Sequence, residues 1–599
     1  MSDYRSRNRK ALGHQGIVLP LLAVVMLIAA TLAVAAEPTD LPAQAGASVA
    51  DPLRQYLHEF PAKPDAPDTP SATLDVEAKA KPAKELKRGV TLDIKGFNFT
   101  GLSVVGSQEL SSLLQSHLGS RREFAELEAA VGEVADYLRG KGYFLAQAYL
   151  PAQKVQDGIV DIAVLEGRIG EVIVESDDTV PVSRSMVDSI LSALPPGTVI
   201  REGDIERTLF LLGDLRGLTV HSVMQPGKQT GFADLLVKLS PGRQFDYSLD
   251  ADNMGSEFTG RYRAGASAGW NSPFGRGDNL SARAMFSTDG GLAFGRMSYL
   301  LPVGPYGTKL GVAYTHLEYT ITAPSFQGLG VNGNANVVSA FLLHPILRGR
   351  NLNLFLTMGY DFRDQQDNNQ QLAAVSGQNS LLNFNVGNIG LTGDSHDSLL
   401  GGGINSFSTT LTTGNLDIAS AYQRLLDQSS IGLKTNGSYQ KGFLAFTRLQ
   451  QIAGPFLGFF SISGQVASKN LSSSEKFSLG GPTAVRAYGV GEAPSDEMLL
   501  LTGELRSSIP KPQFVPGDFV GSVFIDSAWG RLSRNPLTTT LVNPVDNTQQ
   551  RTGVGLGLAW GRPEDFMLRG FAAWRLTAPS ITGTSTGYPQ IYFSLSKFF

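Results

Sequence analysis

From about Phe245 to Phe599 apolar and polar residues alternate with a period of two. In "FDYSLDADN" Phe245, Tyr247, Leu249 and Ala251 share one parity, against Asp246, Ser248, Asp250 and Asp252. "NLSARAMFS" sets Leu280, Ala282, Ala284 and Phe286 against Ser281, Arg283, Met285 and Ser287, and "TKLGVAYTH" repeats the pattern at Leu310, Val312 and Tyr314. Such alternation marks strands with one apolar face. Tight Pro/Gly turns such as "NSPFGRGDN" and "LPVGPYGTK" take turns with longer polar loops such as "DQQDNNQQLAAVSGQNS". Short turns at one end and long loops at the other predict an outer-membrane barrel rather than a soluble sandwich or propeller. The last residues, "QIYFSLSKFF", fit: Ile591, Phe593, Leu595 and Phe599 share a parity that only Lys597 breaks. The region has room for about 16 strands, and a barrel of that size encloses an aqueous channel.

The preceding stretch changes period. After the strand-like "TLDIKGF", "SQELSSLLQSHL" places Leu110, Leu113, Leu114 and Leu118 on one helical face. Ser120 and Glu123 form a capping-box pattern before Leu127, Val131, Val134, Ala135 and Leu138. Strand runs "FLAQAYLP" and "GIVDIAVLEG" follow, giving the order β-α-α-β-β over residues 90–167. The same order returns over 168–242: strand "IGEVIVES", a helix with Met186, Ile190, Leu191 and Leu194, a second with Ile205, Leu209 and Leu212, then "GLTVHSVMQ" and "ADLLVKLSPG". One element order repeated at this period reads as two tandem α+β modules.

The amino terminus reads as an export signal over residues 1–36: Arg5, Arg7, Arg9 and Lys10 precede an apolar run that ends on small residues. Cleavage is expected after Ala35 or Ala36. Within 37–60, "SVADPLRQYLHEF" suits a short helix with Leu53, Tyr56 and Leu57 on one face. Residues 61–89 mix Pro, Ala and charge with few large apolar side chains, which is the composition of an extended linker.

Composition narrows the function. A net charge of −4 gives no electrostatic footprint for nucleic acid. Cysteine is absent, which removes disulfides, thiol chemistry and cysteine–zinc sites. There is no phosphate loop, no HExxH and no GxSxG, so no enzyme, metal or cofactor is expected. The 7 histidines are scattered, and His58, His117 and His316 read as surface or lumen residues. "GVGLGLAWG" (553–561) has fingerprint-like glycines but lies in a strand pattern with no helix after it, so it reads as a barrel strand.

With "KGYFLAQAYLPAQKVQDGIVDIAVLEGRIG", with "ADNMGSEFTGRYRAGASAGWNSPFGRGD" where the barrel begins, and with "GGPTAVRAYG" (480–489), the chain resembles the TpsB-type outer-membrane transporters of two-partner secretion. The resemblance implies a mainly β protein: plug helix (37–60), linker (61–89), POTRA 1 (90–167), POTRA 2 (168–242), and a 16-stranded transmembrane barrel (243–599). It implies that "VRAY" stands for the family's VRGY element, at the tip of a loop folded into the lumen, with Ala487 in place of the usual glycine. Arg486 and Tyr488 would anchor that loop, the arginine meeting the aspartate of Phe524-Ile525-Asp526. The implied partners are a large secreted TpsA-type exoprotein, expected to be β-helical, outer-membrane lipid, and the barrel-assembly machinery during biogenesis. The alternative is an assembly factor that inserts other barrels, though such proteins carry more POTRA repeats. A passive porin would need neither repeats nor a partner.

Overall fold

A computed structural model describes residues 91–324, 330–369, 379–430, 432–536, 546–577 and 589–599. The signal, the helix with Leu53, Tyr56 and Leu57, and the linker all lie outside these residues. The first unit contains β1 (Thr91–Ile94), β2 (Gly96–Thr100), α1 (Ser107–Leu113), β3 (Gly119–Glu123), α2 (Phe124–Gly140), β4 (Gln147–Tyr149) and β5 (Ile159–Leu165). What reads as one strand, "TLDIKGF", divides at Lys95: β1 pairs with β3, whereas β2 runs parallel to β5. The capping box does not form. Residues 119–123 are committed to the ladder with β1, and α2 starts from Glu123 with no side-chain cap. The apolar periodicity still builds the core, in which Leu110, Leu114, Val134, Leu138 and Ile162 are fully buried.

The second unit holds β6 (Arg168–Ser176), α3 (Arg184–Leu191), α4 (Glu202–Gly213), β7 (Leu218–Pro226) and β8 (Phe232–Pro241). Its sheet order β6-β8-β7 matches β2-β5-β4 of the first, with the outer strand parallel to the central one in each. Ile190, Ile205, Leu209, Leu212 and Val237 fill its core.

The rest of the chain closes on itself as a 16-stranded antiparallel barrel. Its first half runs β9 (Phe245–Asp252), β10 (Arg263–Asn271), β11 (Asn279–Ser287), β12 (Leu292–Val303), β13 (Thr308–Thr320), β14 (Val331–Arg348), β15 (Leu352–Asn369) and β16 (Ser380–Asp397). The second half runs β17 (Gly403–Ile418), β18 (Gly437–Ala453), β19 (Phe456–Ala467), β20 (Glu497–Ile509), β21 (Asp518–Arg531), β22 (Thr548–Arg562), β23 (Phe566–Arg575) and β24 (Gln590–Phe598). The glycine-rich "GVGLGLAWG" is part of β22. Closure comes from Ser594–Phe598 pairing with Ser248–Asp252. Lys597, the break in the terminal apolar parity, is ion-paired with Asp565 in the turn before β23.

Residues that alternate in sequence separate onto two surfaces. Tyr247, Leu249, Leu310, Val312, Phe593 and Leu595 are exposed on the outside, where lipid replaces water. Along β13 the outward positions change from Leu310, Val312 and Tyr314 to His316, Glu318 and Thr320, so His316 lies on the outer wall above the apolar belt. Tyr314 and Tyr360 mark that boundary, and their hydroxyls donate to Asn336 and Asn385 at 2.8 and 2.9 Å. Rings with one wet end belong at such an interface. Part of "DQQDNNQQLAAVSGQNS" is strand rather than loop: β15 continues through Asn369, with Gln365 bonded to Asp367 and Asn368 to Asn332.

The second unit docks on the near rim of the barrel. Arg348 at the end of β14 makes a two-pronged bond to Asp214, just after α4, at 2.8 and 3.0 Å, and both side chains are buried. Arg207 donates to the carbonyls of Pro345 and Ile346, and Lys309 to that of Asp214, each at 3.0 Å.

Candidate functional site: a loop clamped inside the barrel

Between β19 and β20 the chain does not stay at the outer rim; residues 468–496 turn inward and pack against the barrel wall. The glycines of "GGPTAVRAYG" permit this. A Cβ on Gly480 would stand 2.6 to 2.7 Å from Glu492, Gly489 and Tyr488, and Gly481 has φ +125°, a conformation that disfavours any side chain.

The resulting turn delivers Arg486 to Asp526 on β21. Nε and Nη2 donate to the two carboxylate oxygens at 2.8 and 2.9 Å, and the Arg486 backbone N–H adds a bond of 3.2 Å. Thr502 donates to the same carboxylate, and the third guanidinium nitrogen reaches Glu504 on β20 at 3.2 Å. The guanidinium carbon sits 3.3 Å from the centroid of Phe524, with Phe571 edge-on beyond it. Arg486 is 7% exposed and Asp526 0%. This is a desolvated, geometrically fixed pair, in which planar bidentate bonding and ring stacking both favour arginine over lysine.

Of the four residues singled out in the sequence, Arg486, Phe524 and Asp526 therefore meet at one point. Tyr488 faces another. Its ring lies 5.4 Å from the guanidinium carbons of both Arg551 and Arg575, its hydroxyl bonds Thr577, and its carbonyl accepts from Tyr592. Ala487 has no positive φ. Its methyl instead occupies the space over Gly553 of β22, where an added Cβ would come within 2.4 Å of it.

Sequence reading missed three further ties. Glu475 takes Arg363 of β15 and Lys441 of β18, each at 2.6 Å. Glu492 takes Arg551 of β22 through Nε and Nη2 at 2.8 and 2.6 Å. Asp496 pairs with Lys476 at 2.9 Å and accepts the backbone N–H groups of Leu471 and Arg534. Nothing in the spacing said which acid meets which base. Among the described residues no cluster of three or more His, Cys, Asp or Glu is placed to hold a metal.

A closed barrel with an α+β module docked at its near rim and a loop clamped in its lumen is the architecture of an outer-membrane transporter with a periplasmic region. The chain belongs to the haemolysin secretion/activation protein family ShlB/FhaC/HecB, whose profile matches residues 231–534, and residues 92–167 match the ShlB-type POTRA domain. It is similar to the heme/hemopexin transporter protein HuxB of Haemophilus influenzae (strain 86-028NP), at 28% identity over 523 residues, 82% of this chain and 88% of the relative. The outer membrane transporter CdiB of Escherichia coli O6:K15:H31 (strain 536 / UPEC) is 23% identical, over 65% of this chain and 64% of the relative. In fold it matches the solved structure of CdiB from Escherichia coli with a TM-score of 0.71, at 19% identity, covering 94% of this chain and all of that one. The corresponding structure from Acinetobacter baumannii gives a TM-score of 0.62 at 18% identity. The protein is a two-partner secretion transporter of the outer membrane, with its POTRA region in the periplasm.

Proposed function

We propose that the periplasmic units receive an unfolded TpsA-type exoprotein of β-helical kind and pass it, extended, through the barrel, with the segment 468–496 held in the lumen by Arg486 and Asp526 as its anchor. The observation that carries this is the buried bidentate pair itself, which fixes a long loop inside the barrel. Among the described residues β4 and β7 pair with a neighbouring strand on one side, and an extended chain added to such an edge gains backbone hydrogen bonds that tolerate varied sequence. β4, with Tyr149 exposed, is one such edge. Folding of the exoprotein outside the cell supplies the direction, since return would require unfolding. The similarity to heme/hemopexin transporter proteins makes a cargo that serves haem uptake the first to test.

In cells producing this chain and its exoprotein, removing the chain should strand the exoprotein in the periplasm. A photo-crosslinker at Tyr149 should capture the exoprotein there. Exoprotein reaching the medium without the chain would refute the transport reading, and failure of capture at both sheets would refute edge addition.

A further inference from the structure

The inner wall alternates charged positions such as Arg363 and Lys441 with apolar clusters, and one sector of it opens as a groove. Where β14 to β18 face inward, a cavity of about 460 Å³ opens to the pore, with Asp394 as the single ionisable side chain in its lining. That volume lies in the range of ordinary ligand sites. Phe341, Leu343 and Phe355 form one wall on β14 and β15. Phe443 of β18 forms the other, and Phe477 of the inward loop stacks on it with ring centroids 6.3 Å apart. Between the walls the floor is short and hydroxylated, with Thr392 on β16 and Ser408 and Thr410 on β17.

The dimensions suit one kind of occupant. β15 and β18 are three strand spacings apart, about 14 Å, which is wider than a single extended chain with its side chains, about 10 Å. Aromatic walls grip apolar side chains without demanding a particular sequence, and hydroxyls on the floor can donate or accept as a backbone slides past. Among the described lining residues Asp394 is the one ionisable group, so the groove offers few partners to a charged segment. The groove is also continuous with the pore through which the family's cargo passes.

We infer that the aromatic-walled groove of β14 to β18 is a sliding contact for the exoprotein, taking extended segments in which apolar and hydroxylated residues alternate. This rests on the transport reading above and adds a place and a sequence preference to it. Phe477 makes one wall conditional on the loop, so the clamp at Arg486 and the groove belong to one assembly.

The test uses the full chain in planar bilayers, with a peptide of about 20 residues, long enough to span the barrel when extended. One peptide alternates valine and threonine, the other serine and threonine, each with terminal lysines. The valine peptide should block the current for longer than the serine peptide. Phe355→Ser and Phe443→Ser should each shorten its dwell about five- to tenfold, with barrel folding verified by heat-modifiable gel mobility. Ser408→Trp fills the floor without removing a wall and should shorten it too, whereas Ser298→Trp, on the inward face of β12, narrows the pore elsewhere and should not. Equal effects of Ser408→Trp and Ser298→Trp, or no difference between peptides, would overturn the groove. So would a photo-crosslinker at Ser408 that captures residues 37–60 of the same chain whether or not peptide is present. Secretion by the same variants is read separately: unaltered chain that secretes normally while dwell ignores the groove leaves the transporter reading intact.

Discussion

Arg486 is held by more than charge. Its partner carboxylate is fully buried, its guanidinium lies flat over Phe524, and its own backbone N–H shares the bond. Removing Arg486 leaves the buried Asp526 carboxylate without its cation, at a cost of about 3–5 kcal/mol, against about 0–1 kcal/mol for an exposed pair, and removing Asp526 leaves Arg486 with Glu504 as its one remaining carboxylate. Arg486→Ala and Asp526→Ala should each reduce secretion while heat-modifiable mobility shows that the barrel persists. The double substitution should be little worse than either alone; additive losses would mean that the two act separately. Arg486→Lys should not restore secretion, because one ammonium cannot reproduce two parallel bonds and a stacked plane. Gly553 offers a steric counterpart. Gly553→Ala should impair loop seating through its collision with Ala487, and Ala487→Gly in the same chain should recover part of the loss; secretion of single and double variants decides this.

At the scale of elements, residues 468–496 act as a strap with several fasteners on different strands. Glu475 holds two cations at once, so Glu475→Gln should loosen the loop near β15 and β18 while the Arg486 clamp stays closed. Single-channel recordings should show larger or noisier conductance than the unaltered chain, and an unchanged trace would demote Glu475 to a local role. The turn before β23 makes a pH prediction. The hydrogen bond from Lys597 holds the Asp565 carboxyl below its ordinary range, so this tie is present at neutral pH and lost as pH falls through that lowered value. Unfolding followed by gel mobility should show the last strand loosening at acidic pH, and Asp565→Asn should remove that dependence. The helices and the barrel strands were legible from period alone, as Leu110 and Leu114 or Tyr247 and Leu249 show, but the short β1–β3 pair of the first unit was not. Less legible were features that depend on a distant partner. Ser120 cannot cap a helix because β1 claims its segment, and Gln365 extends a strand because its neighbours form a ladder of amides. The VRAY pairing came from resemblance; Glu475 meets Arg363 and Lys441, and Glu492 meets Arg551, only through the fold.

For the whole molecule, the joint at Asp214 matters most. It fastens the second periplasmic unit to β14 with a buried bidentate bond, supported by Arg207 and Lys309 and by Phe210 beneath the Arg348 guanidinium at 4.7 Å. Whatever binds the second unit therefore pushes on the barrel rather than on a free hinge. Because the chain has no cysteine, a pair introduced on α3 and on the β14–β15 turn can carry spin labels without background. Asp214→Ala should broaden the distance distribution between them. A distribution as narrow as that of the unaltered chain would show that other contacts suffice.

The barrel wall is of unequal height, and the bilayer must respond. β14, β15 and β16 are each 18 residues long, while β9, β10 and β11 have 8 or 9. A tilted strand needs about 9–11 residues to cross, so one flank rises well clear of the lipid while the other barely reaches through it. Mismatch is relieved by thinning at a cost of a fraction of a kcal/mol per Å. The membrane therefore does not surround this protein as a uniform slab: its acyl chains are compressed along the low flank, where the first and last strands meet, and relaxed along the high one.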